Sequence, residues 1–191
     1  MVRMLIGGLA GGFAMFITGF LFWGTPLSAL AMSRAGDEAS ANLQAAMAQA
    51  LNQTGTGVYI IPDPSSAPGT VLYGRGPVAQ VFYNSSGFPV MDGGGLIGGV
   101  ILSLVVGVLI ALALRFALAD FASRARVTLL FAAGATLWMH VGQSVFNHAP
   151  WGYILYLAFS DFVALAAAGL IAAKTMEGKA VANPASESTL H

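Results

Sequence analysis

Residues Leu96–Leu114 read LIGGVILSLVVGVLIALAL, and this run decides the fold. It holds no charge, no proline and a single polar side chain, Ser103. A helix rises about 1.5 Å per residue and the hydrocarbon core of a bilayer is about 30 Å thick, so about 20 such residues cross it. A helix apolar on every face belongs in the core of a large protein or in lipid. Sixteen charged residues cannot coat the surface of a water-soluble globule of this size, which points to lipid.

Three more stretches have the same character: Met4–Trp23, Val127–Phe146 and Trp151–Ala173. The first two of these lack acidic and basic residues, and the third contains Asp161. Composition agrees. Charged residues make up 8% of the chain and hydrophobic ones 57%, against about 25% charged in soluble domains. That balance excludes a soluble enzyme and excludes disorder of the whole chain. Eight basic and eight acidic residues give no net charge, so the sequence lacks the footprint of a nucleic-acid binder. With no cysteine, disulfides, thiol nucleophiles and Cys-ligated metals are excluded.

The expected fold is an all-α membrane protein: four transmembrane helices with a small exported α+β subdomain between helices 1 and 2. The expected divisions are 1–24 for the first helix, 25–95 for the exported subdomain, 96–177 for a three-helix transmembrane region and 178–191 for a disordered tail. Lysine and arginine set the orientation. Arg3, Arg115, Arg124, Arg126, Lys174 and Lys179 fall on one side, with Arg34 and Arg75 on the other. Both termini are therefore expected in the cytoplasm and residues 25–95 in the periplasm. Trp23, Trp151 and Tyr153 then lie at the outer interface, where aromatic belts form. Ala29-Leu30-Ala31 could end a signal peptide, but the apolar run before it is longer than an ordinary signal core and is read as an anchor.

The exported segment changes character along its length. Asp37–Asn52 is rich in helix formers, and Leu43, Ala46, Met47, Ala50 and Leu51 make one apolar stripe. Thr54-Gly55-Thr56-Gly57 stops that helix. Val58–Ile61, Val71–Tyr73 and Val78–Tyr83 read as short strands bounded by Gly, Pro, Asn and Ser. The run Gly93-Gly94-Gly95 reads as a flexible hinge into the second span.

Gly57-Val58-Tyr59-Ile60-Ile61-Pro62 forms a G-x-Y-x-x-P segment after one span and before three others. The last span enters through Trp151-Gly152-Tyr153, carries Asp161 and leaves through Ala168-Gly169-Leu170. In these features the chain resembles a set of functionally uncharacterised bacterial inner-membrane proteins with four spans. The resemblance implies the architecture and the bacterial inner membrane, and it implies no catalytic or binding residue.

Gly95, Gly99, Ser103, Gly107 and Ala111 recur every four residues and form a ridge of small side chains. Gly7/Gly11 and Gly8/Gly12 are overlapping G-x-x-x-G pairs in the first span. Small residues let helix backbones approach closely in lipid. The partner of each set stays open at this point.

Asp161 lies about 15 Å below Trp151 at helical rise, near mid-membrane. A charged aspartate there costs about 2.5–3.5 kcal/mol, so it needs a partner, a proton or an enclosed site. His140 is the candidate partner. If the third and fourth spans form a hairpin across Asn147–Pro150, the two residues differ in depth by only about 6 Å. Such a pair could clasp two helices, hold a proton or ligand, or meet another subunit. Gln143, Ser144 and the stripe Thr128, Ala132, Thr136, His140, Ser144 lie nearby on the same helix.

No haem-attachment, phosphate-loop, nucleophile-elbow or zinc-protease motif is present. The expectation is a non-catalytic integral membrane protein with no cofactor, no metal and no catalytic residue. Its expected partners are the lipid bilayer and other membrane-protein subunits, and its expected role is accessory, stabilising or assembly. The alternative is a small-molecule, lipid or quinone-binding protein or small transporter using Asp161 and His140. An accessory subunit is expected to turn its ridge and exported loop outward and to contain no internal cavity, and a binder or transporter to open a pocket next to Asp161 and His140.

Overall fold

A computed structural model gives the fold for residues 1–117 and 120–177. The tail at 178–191, with Lys179, lies outside the described residues. Among the described residues four helical segments are long and apolar enough to cross a membrane. They are α1 (Val2–Trp23), α4 (Gly93–Ala117), the third span and α7 (Trp151–Thr175). The third span comprises α5 (Phe121–Thr136), a π turn (Leu137–Val141) and α6 (Gly142–Asn147). Between α1 and α4 stand a 3-10 turn (Pro26–Leu30), α2 (Asp37–Leu51), β1 (Gly57–Ile61), α3 (Ala67–Arg75) and β2 (Ala79–Tyr83). The architecture is an all-α membrane protein with a small α+β subdomain. The chain divides into two compact units. Residues 34–92 form one, and residues 1–33 with the described residues from 93 onward form the other.

In the membrane unit α1 is the shared neighbour of α4 and α7, and α5 packs on α7. The two G-x-x-x-G pairs of α1 face different helices. A β-carbon on Gly8 would stand 2.8 Å from Val108 Cα, and one on Gly12 2.7 Å from Leu104 Cα. On the other side, a β-carbon on Gly7 would stand 3.1 Å from the Ala172 carbonyl oxygen, and one on Gly11 3.1 Å from the Ala168 carbonyl carbon. Successive residues on a helix are about 100° apart, so two pairs offset by one residue address two neighbours. The numbering falls along one helix as it rises along the other, so α1 runs antiparallel to both.

Small side chains dominate the core: Ala111, Ala168, Ala172 and Ala173 are fully buried, joined by the larger Met4, Leu114 and Ile154, while most leucines and phenylalanines of the spans are exposed. This arrangement suits lipid, where close backbone packing replaces the hydrophobic drive. At the Trp23 end of α1, α1 and α7 close with aromatic contacts. Trp23 packs edge-on against Tyr153 and Tyr156. Its Nε1 donates to Ser160 Oγ at 3.2 Å, and Tyr156 Oη donates to the Phe22 carbonyl at 2.8 Å. That carbonyl is one of the four that end a helix without an internal partner.

Two expectations from the sequence are corrected. Val71-Leu72-Tyr73 is not a strand but lies inside α3. Ser66 sits extended before the helix and its Oγ accepts from the Gly69 amide at 3.0 Å, with Pro68 in the first turn. A cap and a proline so placed outweigh the strand preference of three residues. Gly93-Gly94-Gly95 is not a hinge either, because α4 begins at Gly93.

In the unit of residues 34–92 β1 and β2 pair antiparallel, with Tyr59 opposite Val81 and Val58 opposite Phe82. One face of this ribbon is half-buried: Gly57, Tyr59, Val81 and Tyr83. Tyr59 Oη donates to the Gly55 carbonyl at 2.6 Å, and Tyr83 Oη donates to Asn52 Oδ1 at the end of α2. The other face leaves Val58, Ile60 and Phe82 exposed. No hydrophobic side chain of residues 34–92 is buried.

Candidate functional site: an intramembrane histidine–aspartate pair

The third span carries Thr128, Ala132, Thr136, His140 and Ser144 at four-residue spacing. On an ideal helix of 3.6 residues per turn such a stripe drifts by about 40° per step. The π turn at Leu137–Val141 takes more residues per revolution and holds the stripe on one side. Thr128, Ala132, Thr136 and Ser144 are buried, and His140 is half-buried. Single π turns inside α-helices recur at functional sites, and this one contains His140.

α7 supplies the other half of the pair. His140 Nε2 lies 2.8 Å from Asp161 Oδ2. The hairpin brings them together: α6 ends with His148 in the left-handed conformation, and Pro150 starts α7. The imidazole side chain is 12% exposed, but the carboxylate side chain is 43% exposed. Neither residue makes another hydrogen bond among the described residues. Asp161 is therefore satisfied on one oxygen and open on the other, at a depth where water is scarce. Ser144 Oγ is buried without a hydrogen-bond partner among the described residues.

The ridge on α4 faces inward. A β-carbon on Gly107 would lie 2.6 Å from Gly12 Cα and would strike the Gly8 carbonyl. Ala111 is fully buried, Ser103 Oγ donates to the Gly99 carbonyl at 2.8 Å, and Gly99 faces the Phe16 ring. Gly95 is exposed and lies beyond this seam. The outward ridge expected of an accessory subunit is thus not found: α1 has the complementary glycines and takes the ridge up, so the accessory reading draws no support from it.

Sequence reasoning missed a groove. α5 packs on α7 and not closely on α4, which leaves a lateral opening of about 430 Å³ between α4 and α5 over Leu165. His140 and Asp161 do not line it, nor do they line the shallow cleft around Trp138 and Gln143. Nothing in the sequence of either helix signals a gap that depends on how the two are spaced. The sequence also gave no sign of the Tyr156–Phe22 and Trp23–Ser160 bonds, which need the α1–α7 register.

The chain matches no protein-family model, no curated protein and no solved structure. The chemistry therefore rests on the geometry. One imidazole and one carboxyl can share a proton or donate to and accept from a third group. Among the described residues no three His, Cys, Asp or Glu side chains gather in one place.

Proposed function

We propose that this protein is a non-catalytic accessory or assembly subunit of a larger complex in the bacterial inner membrane. The observation that carries the reading is the exported unit without a core. Fifty-nine residues with no buried hydrophobic side chain cannot offset the conformational entropy of ordering them. A protein surface that covers Val58, Ile60 and Phe82 would supply what is missing. The half-open Asp161 supports the same reading, since a donor from a neighbouring helix would satisfy its second oxygen. The alternative of a transporter or small-molecule site at His140 and Asp161 has less support, because neither the α4–α5 groove nor the cleft around Trp138 and Gln143 is lined by them. Further ionisable groups needed to relay a proton are also missing from the spans on either side of the pair.

In this reading both termini face the cytoplasm and residues 34–92 face the periplasm, as the arginine distribution directs. A phosphatase reporter near Ser65 should be active and one after Lys174 inactive; the opposite pattern would invert the topology. The functional test is extraction at native abundance in mild detergent, followed by native electrophoresis and mass spectrometry. The wild type should migrate well above its 19.6 kDa with a stoichiometric partner. The triple variant Val58→Ser, Ile60→Ser, Phe82→Ser should migrate alone with an unchanged melting point for the helices. A wild type that migrates alone, or a triple variant that keeps its partner, would overturn the reading.

A further inference from the structure

Asp161 keeps one carboxylate oxygen open in the middle of a span. His140 Nε2 holds Oδ2 at 2.8 Å, yet 43% of the aspartate side chain is exposed. No second donor reaches it among the described residues. A neutral imidazole that donates this bond leaves the pair with one negative charge. Ionisable groups within a membrane are costly, and they pair with one another or with backbone carbonyls. What Asp161 lacks is therefore a donor that also carries positive charge.

The groove between α4 and α5 lies one turn away. Leu165, its floor, follows Asp161 by four residues on the same face of α7. Leu109 and Phe131 stand exposed on the two walls. From Val106 to Ala113 the groove runs about 10 Å along α4, two turns of a helix laid in it. An acyl chain could fill this groove and would leave the carboxylate unsatisfied. A lipid ammonium group stays at the bilayer surface, about 15 Å from Asp161 at helical rise. A second copy of this chain brings no cation either, because Met4–Trp23, Leu96–Leu114, Val127–Phe146 and Trp151–Ala173 contain no lysine or arginine. A transmembrane helix of another protein can bring both an apolar face for the groove and a basic side chain for Asp161.

We propose that Asp161 and the adjoining α4–α5 groove dock a partner's transmembrane helix that carries a lysine or arginine near its centre. The inference rests on the accessory-subunit reading and names the partner's chemistry. The probe is a synthetic polyleucine helix of about 20 residues, with either one central lysine or none. Binding to the labelled full chain is measured by energy transfer in phosphatidylcholine bilayers. The lysine peptide should bind about tenfold more tightly than the all-leucine one, the scale of one interhelical polar contact in lipid. Asp161→Asn can keep the His140 bond and should erase that preference without lowering the melting point. Leu109→Trp fills the groove from an exposed position and should weaken both peptides, and it serves if the first variant does not fold. A photocrosslinking residue in place of Phe131 should capture the lysine peptide. Equal binding of the two peptides, a preference that survives Asp161→Asn, or a wild type that excludes the peptides by forming Asp161-dependent dimers would overturn the proposal. A native partner whose spans hold no lysine or arginine would overturn it too, while leaving the accessory-subunit reading in place. That reading fails separately, if the wild type extracted from native membranes migrates alone.

Discussion

Gly107→Ala adds one methyl group at the tightest point between α1 and α4. The new carbon would lie 2.6 Å from Gly12 Cα and would meet the Gly8 carbonyl head-on. Ordinary carbon contacts stand at about 3.5–4.0 Å, so the two helices must part by about 1 Å. Both neighbours are backbone, and no rotamer change can relieve the overlap. Overpacking of this kind costs about 1–3 kcal/mol. Alanine gains up to about 1 kcal/mol over glycine in a helix interior, which offsets part of it. At about 2–4 °C per kcal/mol for a chain of this size, the melting point should fall by several degrees. Gly98→Ala is the control, since its added carbon meets nothing within 4 Å. It should melt at or slightly above the wild type. Gly99→Ala, which meets only the Phe16 ring at 3.5 Å, should lie between the two. The assay is tryptophan-fluorescence melting of the purified variants in detergent. If Gly107→Ala melted at or above the wild-type temperature together with Gly98→Ala, the α1–α4 seam described here would be wrong.

Two further outcomes follow from single contacts. His140→Leu or Asp161→Leu alone should destabilise the protein by about 1–3 kcal/mol by leaving a polar group unpaired, and the double variant should recover most of that loss; coupling under about 0.5 kcal/mol would show no contact. The Ser123 amide bonded to Asp120 holds that carboxyl below the usual carboxylate range. The folded value is depressed, so the cap's contribution is present above about pH 3.9 and is lost as pH falls through the folded value. Hydrogen exchange at the start of α5 should be slower in the wild type than in Asp120→Ala near neutral pH, and the two should converge in acid; a constant gap at all pH values would contradict the cap.

Much of the fold was legible because lipid imposes a coarse rule. A run such as Leu96–Leu114 has no other place to go, and arginines at the ends of the runs fix their limits. The α2 helix was also legible, from composition and its Thr54–Gly57 stop. Val71–Tyr73 misled because strand preference was read without the Ser66 cap before it, which acts through one side-chain bond. The π turn left a trace in the four-residue stripe from Thr128 to Ser144, which outlasts what a 3.6-residue helix can keep on one side. The offset of Gly7/Gly11 from Gly8/Gly12 likewise encoded two neighbours, but not which ones. The exposure of Asp161 and the α4–α5 groove left no trace, because both depend on how far apart helices stand.

The central claim is that residues 34–92 need a covering partner. The most direct measurement is amide hydrogen exchange of β1 and β2, compared between the purified chain in detergent and the chain in native membranes. The account predicts that Val58–Ile61 and Ala79–Tyr83 exchange almost without protection in the purified chain and slow by at least tenfold in the native membrane, while α1 and α7 are protected in both. Strong and equal protection of both strands in the purified, partner-free chain would contradict it.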